Sequence, residues 1–391
     1  MICPVCQRAE LEVFFEGGHV PVFVNVLFEA ADAARAAAQG EVRLGGCPHC
    51  GFVHNVAFDP ALTAYAPGYE NSLHGSPAFQ EWARGLAREL VEAHGLAGGS
   101  TVEVGGGRGE FTELLVEAGV ARGLVMDPSA PDDALRDEAD GVTIQRRLFE
   151  PGDTTPEDGP AAGLVLTRHV LEHIPEPHAF VEALAGGARA ACAGLYVEVP
   201  NGLWTLRDLG VWDVIYEHCS YFTPRSLALL LARHGAHADV REDYGGQFLG
   251  GSARSVGAAD PDAAPERPGA EVELFARFRA AEAEETERWG ARFDAWRREG
   301  RAAAIWGAGS KGATFLRKLD PAAELVRFAI DVNDRKHGLH VAGTGHSIVG
   351  PEALVDTDVD TIVVMNPRYA EEIERMARAR GSRAEVLGVA A

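Results

Sequence analysis

The hydrophobic pattern of the chain predicts an open sheet built from alternating strands and helices. Short apolar runs are separated by longer segments in which apolar residues recur at helical spacing, as in SPAFQEWARGLARELVEAHGL. The apolar runs are STVEV, GLVM, GLVLTR and GLYVEVP. Strands that alternate with helices are typical of a parallel, doubly wound sheet. This pattern fades near Gly251.

A second, smaller α/β unit is predicted near the end of the chain. Residues 258–270 are rich in Pro, Ala and Asp and are typical of a linker, and a long charged helix is expected over about 271–300. RAAAIWGAGSKGATFLRKL then repeats the order strand, glycine turn, helix, and VRFAID and TIVVMN add two strands. The predicted fold class is therefore α/β with two Rossmann-like units.

Two cysteine pairs precede the first unit, Cys3-Pro-Val-Cys6 and Cys47-Pro-His-Cys50, with 40 residues between Cys6 and Cys47. A CxxC turn points two thiolates at one ion, and four thiolates suit tetrahedral Zn²⁺. Because four sulfurs leave no open position for water, we expect a structural zinc rather than a catalytic one. A redox pair is the alternative.

The formal net charge of −22 at pH 7 disfavours nucleic acid as a partner, since an acidic surface repels phosphates. No apolar run reaches membrane-spanning length, and the first residues lack the features of a signal peptide. We therefore expect a cytoplasmic protein, monomer or homodimer, that acts on a small molecule. A phosphate-bearing ligand would therefore have to be bound by glycine-rich turns or by a few suitably placed Arg and Lys side chains.

The first glycine turn has the pattern Gly105-x-Gly107-x-Gly109. A dinucleotide fingerprint would place its third glycine at position 110, where Glu110 stands, so the pattern disfavours a nicotinamide or flavin. Glycines instead let backbone amides approach a small zwitterion such as the methionine part of S-adenosylmethionine. A mere tight turn is the alternative.

Two acidic residues flank this turn. Glu103 stands two places before Gly105, and Asp127 ends the next strand. An acidic side chain in the position of Asp127 commonly accepts hydrogen bonds from ribose hydroxyls. The pattern therefore predicts a ligand site at residues 103–127.

Three side chains that can handle protons follow the strand YVEVPN, namely Tyr216, Glu217 and His218. Histidine titrates near neutral pH, tyrosine can donate or polarise, and glutamate can orient an imidazole. The set suits removal of a proton beside a carbonyl, followed by attack of the enolate on a methyl donor. The alternative is that the aromatics belong to the core and His218 caps a buried network.

The second glycine turn satisfies the pattern Gly307-x-Gly309-x-x-Gly312, and Asp331 ends the next strand 19 residues after Gly312. By motif alone it fits NAD better than the first turn does. The unit has only about 90 residues and shows no second catalytic cluster. We therefore expect it to bind the nucleotide part of a substrate, with Lys311 near phosphates. A purely structural turn and NAD binding are the alternatives.

A family resemblance adds to these predictions. Residues 102–109, Asp127-Pro128 and the stretch VLEHIP at 170–175 resemble class I methyltransferases, which use S-adenosylmethionine. Together with the four cysteines, the Tyr-Glu-His stretch and the second α/β unit, they make the whole chain similar to the zinc-containing sugar C-methyltransferases. The resemblance implies transfer of a methyl group to a carbon beside the ketone of a nucleotide-linked keto-deoxysugar.

The resemblance also implies roles for individual residues. His218 would be the general base, with Glu217 and Tyr216 assisting and His173 as a further active-site histidine. The family often has Tyr-His-Glu-His where this chain has Ile215-Tyr216-Glu217-His218, so Tyr216 stands in place of one histidine. The residues expected at the cofactor are Tyr69, Ser72, Glu103, Gly105, Gly107, Gly109, Asp127, Pro128 and His169. Those expected at the substrate are Asn201, Tyr221, Gly307, Gly309 and Lys311.

We predict four segments along the chain: a zinc-binding module at 1–65, a methyltransferase domain at 66–257, a linker and helix at 258–300, and a Rossmann-like substrate-binding domain at 301–391. O- or N-methylation of another small molecule is the alternative reaction. A protein that binds NAD at the Gly307 turn is the alternative from another class.

Overall fold

The structure is a computed structural model, described here over most of the chain. The described residues are 1–63, 75–155, 160–208, 210–263, 271–355 and 357–389, without the side chains of residues 138 and 139. Within them the strands form three sheets.

The helices are α1 (Ala31–Arg35), α2 (Pro77–His94), α3 (Glu110–Glu117), α4 (Pro177–Ala191), α5 (Gly202–Arg207), α6 (Pro224–Arg233), α7 (Glu271–Glu299), α8 (Ser310–Leu319) and α9 (Ala370–Ala379). The strands are β1 (Glu12–Pro21), β2 (Gln39–Gly46), β3 (Val53–Asn55), β4 (Ser100–Val104), β5 (Arg122–Met126), β6 (Arg136–Ala139), β7 (Val142–Gln145), β8 (Leu164–Arg168), β9 (Gly194–Pro200), β10 (Ser220–Tyr221), β11 (Asp239–Asp243), β12 (Phe248–Ala253), β13 (Ala303–Trp306), β14 (Val326–Ile330), β15 (Ile348–Val349), β16 (Thr361–Val364) and β17 (Glu385–Gly388).

The largest sheet has the strand order β11-β12-β9-β8-β4-β5-β7-β6. The five strands from β9 to β7 in this order are parallel, and the strands at both edges are antiparallel. The chain winds outward in both directions from β4, so a crevice forms at the carboxyl ends of β4 and β8, where ligands bind in open α/β sheets. The predicted doubly wound sheet is confirmed, with antiparallel edges that the alternating pattern did not indicate.

The C-terminal sheet is wholly parallel, in the order β15-β14-β13-β16-β17. Its first turn, between β13 and α8, carries the second glycine pattern. Helix α7 precedes the sheet and buries an aromatic stripe that includes Phe278, Trp289 and Phe293, while most of its other face is charged. Phe275 of this helix stacks on Phe14 of β1, with ring centroids 4.7 Å apart.

The N-terminal sheet has the order β1-β2-β3-β10, and all its pairings are antiparallel. Strand β10 comes from a distant part of the sequence and begins two residues after His218. A sheet this small buries little apolar surface alone, and here it shares one hydrophobic core with α7, the C-terminal unit and residues 206–221. The segment that carries His218 is therefore packed between two units.

The loop that holds Cys3 and Cys6 is attached to the largest sheet's helices by a buried arginine. The guanidinium of Arg233, at the end of α6, donates to the carbonyl oxygens of Val5 and Cys6 at 3.1 and 2.9 Å. His178 of α4 also hydrogen-bonds the carbonyl of Val5, at 2.9 Å. These bonds satisfy carbonyl groups that burial would otherwise leave unpaired.

Candidate active site

The four cysteines of the N-terminal unit meet at one point. All four are fully buried, none forms a disulfide, and their sulfurs lie within 4.8 Å of one another. The Sγ atoms of Cys3 and Cys50 are 3.7 Å apart, and those of Cys6 and Cys47 are 3.5 Å apart. Four sulfurs bound to Zn²⁺ at about 2.3 Å would be separated by about 3.8 Å. The arrangement is therefore compatible with one tetrahedral ion.

The first glycine turn joins β4 to α3 at the crevice. Gly105, Gly107 and Gly109 have φ angles of 76°, 55° and 75°, in the left-handed region that favours glycine. A Cβ atom on Gly105 would lie 2.3 Å from Cγ2 of Val170, which begins the VLEHIP stretch. The turn therefore needs glycine both for its conformation and for its close approach to the end of β8.

Asp127 and Glu103 occupy different positions around this turn. The Asp127 carboxylate lies beside it and accepts hydrogen bonds from the N–H of Gly107 at 2.8 Å and from the N–H of Ser129 at 2.7 Å. Glu103 lies beneath it and accepts a hydrogen bond of 2.5 Å from the Thr112 hydroxyl. Burial raises the pKa of Glu103. Asp127 is thus placed where a ligand in the crevice could reach it, and Glu103 supports the turn from below.

A network of buried charges lies behind the VLEHIP stretch. The Arg168 guanidinium contacts Glu198 at 2.7 Å, and His169 Nε2 contacts the same carboxylate at 3.1 Å. Burial alone would lower the pKa of His169, but its contacts with Glu172 and Glu198 outweigh burial and raise that pKa to about 9. His169 is therefore an imidazolium between two carboxylates, with Nδ1 at 3.6 Å from Glu172 Oε1.

His173 and His218 form a pair of imidazoles in front of this network. Their ring centroids are 4.8 Å apart and their planes are nearly perpendicular. Nδ1 of His173 lies 3.0 Å from the carbonyl oxygen of Glu217; since a carbonyl only accepts, this nitrogen carries the proton. Burial, together with the neighbouring His173, lowers the pKa of His218 to about 3. His218 is therefore unprotonated near neutral pH, the state that a general base needs before it takes a proton.

The side chains of Tyr216 and Glu217 both form hydrogen bonds to the backbone of the N-terminal unit. The Tyr216 hydroxyl accepts a hydrogen bond from the N–H of Asp59 at 2.8 Å and donates to the carbonyl of the same residue at 3.2 Å. Glu217 Oε1 accepts a hydrogen bond of 3.0 Å from the N–H of Val24. Glu217 also lines a small cavity together with His173, whereas the Tyr216 side chain is fully buried. Tyr216 therefore anchors this segment to the N-terminal unit.

The second glycine turn faces the segment that carries His218. Lys311 Nζ contacts Asp213 at 2.7 Å and lies 5.4 Å from the centroid of the Trp204 ring. Asp331, at the end of β14, accepts a hydrogen bond from the N–H of Ala308 at 3.1 Å and pairs with Lys336 at 3.2 Å. A cleft opens between this turn, Asp331 and the start of α9.

Comparisons with known proteins agree with this arrangement. Residues 76–238 match a family described as methyltransferase domain, and residues 265–386 match a C-methyltransferase C-terminal domain. The chain is an S-adenosylmethionine-dependent C-methyltransferase. The match to the second domain favours carbon methylation over the alternatives that the sequence left open. The class I methyltransferase Rossmann-like fold, with a smaller parallel C-terminal unit, is likewise confirmed.

This C-methyltransferase has a curated relative in the C-methyltransferase NovU of Streptomyces niveus, with 29% identity over 310 residues, 74% of this chain and 72% of the relative. Among solved structures, a DhpI complex with S-adenosylhomocysteine is 21% identical and superposes with a TM-score of 0.33. This match covers 46% of the present chain and 87% of the DhpI chain. The magnesium protoporphyrin IX methyltransferase of Synechocystis PCC 6803 is 18% identical and superposes with a TM-score of 0.32. This match covers 45% of the present chain and 84% of the Synechocystis chain.

The remaining predicted residues lie as follows. Asn201 caps the start of α5, with its side chain accepting from the N–H of Leu203 at 3.0 Å. The Tyr221 hydroxyl is bonded to the backbone of Ile215, at 3.2 Å, and burial raises its pKa. Pro128 is exposed beside the crevice. Tyr69 and Ser72 lie outside the described residues of the C-methyltransferase.

Among the helices of the described residues, none combines the length and the apolar character needed to span a membrane.

Sequence reasoning missed two acidic residues at this site. Glu172 lies between His169 and His173, and Asp213 pairs with Lys311. Glu172 directly precedes His173 in the sequence, so its proximity could have been noticed. Asp213 gave no such signal, because its partner lies 98 residues further along the chain (311 minus 213).

We predict that Gly105→Ala weakens the binding of S-adenosylmethionine at least tenfold. The new Cβ would meet Val170, and the left-handed conformation adds about 1 kcal/mol of strain. Isothermal titration calorimetry with S-adenosylhomocysteine measures the effect. Gly186→Ala, on an open face of α4, is the matched control and should bind normally. Adding Val170→Ala should restore part of the affinity; unchanged affinity in Gly105→Ala alone would contradict the assignment of this turn.

Proposed function

We propose that this enzyme transfers the methyl group of S-adenosylmethionine to the carbon beside the ketone of a nucleotide-linked keto-deoxysugar. The observation that carries the proposal is the neutral His218 imidazole, paired with His173 at the mouth of the crevice. Methylation at carbon needs a base that is unprotonated at neutral pH, since the attacking carbon must first lose a proton. His218 meets that requirement.

The proposed cofactor site is the turn between β4 and α3. Its glycines carry no side chain, so a ligand can approach the backbone closely, and the Asp127 carboxylate, which accepts a hydrogen bond from the N–H of Gly107, stands beside them to accept further hydrogen bonds from ribose hydroxyls. S-adenosylmethionine, when bound, supplies an electrophilic methyl group. We place His169 at this site as a support, because both its ring nitrogens contact buried carboxylates.

In the proposed reaction, His218 takes the proton from the carbon beside the ketone, which leaves an enolate. The enolate carbon forms a bond to the methyl carbon as the methyl–sulfur bond breaks, so S-adenosylhomocysteine and a methylated ketone result. Burial alone would raise the pKa of Glu172, but its contact with the protonated His169 outweighs burial and lowers that pKa. The resulting carboxylate stabilises the imidazolium that forms at His218.

The second glycine turn is the proposed site for the nucleotide. Gly307 and Gly309 lie in the turn before α8, and Gly309 caps the start of this helix, where phosphates bind favourably. Lys311 pairs with Asp213 of the segment that carries His218. A diphosphate that takes Lys311 as its counter-ion would therefore bring the attached sugar towards the histidine pair.

We predict that the enzyme exchanges solvent deuterium into the carbon beside the ketone of a nucleotide-linked 4-keto-6-deoxy sugar, and that His218→Ala slows this exchange at least a hundredfold. Proton NMR of the substrate in D₂O measures the exchange, with S-adenosylhomocysteine present to block methylation. His237→Ala changes an exposed histidine and should leave the rate unchanged. Normal exchange in His218→Ala would show that another group is the base.

The lowered pKa of His218 predicts how exchange depends on pH. A histidine with an ordinary pKa of about 6.5 is mostly protonated at pH 5.5 and would lose about tenfold in rate. Because the pKa of His218 is lowered to about 3, it keeps its lone pair there, and the rate should stay within about twofold between pH 7.5 and pH 5.5. An inflection near pH 6.5 in the exchange rate would contradict this assignment.

The four cysteines are the proposed site of a structural Zn²⁺. Their buried sulfurs come from two CxxC turns 41 residues apart, and four thiolates around one ion leave no position for a substrate.

We predict one zinc per chain by elemental analysis. Cys47→Ala should lose the metal and lower the melting temperature by roughly 10 °C. Cys192→Ala, at an exposed cysteine, is the control and should keep the zinc. Full zinc content in Cys47→Ala would refute the site.

A further inference from the structure

A second group of metal-ligating side chains lies at the histidine pair. One ligand atom each from Glu172, His173 and His218 lies within 4.8 Å of the other two. His218 and His173 are half-buried and Glu172 is buried, so the two imidazoles are partly accessible while the carboxylate is shielded from bulk water. None of these residues touches the four cysteines, so the group is separate from the proposed zinc site.

The distances within this group are too long for direct hydrogen bonds. Glu172 Oε1 lies 3.9 Å from His173 Nε2, beyond hydrogen-bonding distance. Glu172 Oε2 is buried and has no hydrogen-bond partner among the described residues. A buried carboxylate oxygen without a hydrogen-bond partner lowers the stability of the fold by about 1–3 kcal/mol or more, and a bound ion or water would offset this loss. The spacing therefore leaves room for one atom between the three side chains.

The orientation of His173 suits metal binding. Its Nδ1–H donates to the carbonyl of Glu217, so the lone pair is on Nε2, the nitrogen that faces Glu172. A histidine that ligates a metal usually donates its other N–H to a carbonyl or carboxylate in this manner. His218 makes no hydrogen bond through its ring among the described residues.

We propose that Glu172, His173 and His218 bind one divalent transition-metal ion. Two imidazole nitrogens and one carboxylate oxygen favour Zn²⁺, Co²⁺, Ni²⁺ or Fe²⁺ over Mg²⁺ and Ca²⁺, which prefer oxygen ligands alone. Metal–nitrogen bonds of about 2.1 Å require the three side chains to close by small rotations around the ion.

Binding of such an ion would inhibit the enzyme. An ion held by His218 occupies the lone pair that takes the substrate proton, so the metal-bound enzyme cannot form the enolate. This consequence rests on the proposed function, whereas the binding itself does not. Binding and inhibition are therefore measured separately.

The test adds Co²⁺ to the enzyme with its native zinc retained. We expect one further equivalent to bind with the weak visible d–d absorption of nitrogen and oxygen ligands, without a thiolate charge-transfer band and without release of zinc. Glu172→Gln and His218→Ala should each weaken this binding at least tenfold, and His237→Ala should not. Deuterium exchange should fall in proportion to the bound cobalt.

Three results would overturn the proposal: no binding of Co²⁺ up to millimolar concentration, equal binding in both variants and in the parent enzyme, or a thiolate charge-transfer band accompanied by zinc release. Circular dichroism checks the fold of each variant, and His218→Ala carries the same test should Glu172→Gln fail to fold. Saturable cobalt binding without loss of exchange would leave the metal site standing and would count against His218 as the base.

Discussion

The position of His218 depends on hydrogen bonds that its two preceding residues make to the N-terminal unit. The Tyr216 hydroxyl bonds both backbone groups of Asp59, and the Glu217 carboxylate bonds the backbone of Val24. Strand β10, which begins two residues after His218, pairs with β3 of the same unit. The segment has little regular structure of its own, so these long-range bonds set where the imidazole lies. The N-terminal unit therefore belongs to the architecture of the site.

Electrostatics gives His169 and His218 opposite protonation states. His169 lies between Glu172 and Glu198 and is held protonated, because two buried carboxylates outweigh the cost of burying its charge. His218 lies beside another imidazole and is held neutral. Arg168 lowers the pKa of Glu198 to about 2, although burial alone would raise it, and so keeps that carboxylate ionised. The neutral base and the buried charges near it thus come from distant parts of the chain, His218 from the segment before β10 and residues 168–172 from the end of β8.

The two glycine turns have similar local patterns and different surroundings. The first is closed by Asp127 and packs on Val170, at the crevice of the sheet where strand order reverses. In the second, Asp331 is neutralised by Lys336, and Lys311 points towards the segment with His218. The difference in charge, more than the difference in glycine spacing, is what assigns the turns to different ligands in the proposed reaction.

Features that depend on local chemistry followed from the sequence alone. The central strands of both units, the glycine turns and each CxxC turn are set by neighbouring residues, so their patterns were sufficient. The direction of a side chain on an irregular segment is different, because distant residues decide it. Tyr216 looked like a member of a proton-handling triplet, but its hydroxyl bonds Asp59, which is 157 residues away. Glu172, which the sequence left unremarked, faces both His173 and His169. Only the tertiary structure could decide these roles, because hydrogen-bond partners and buried charges come from parts of the chain that sequence spacing does not relate.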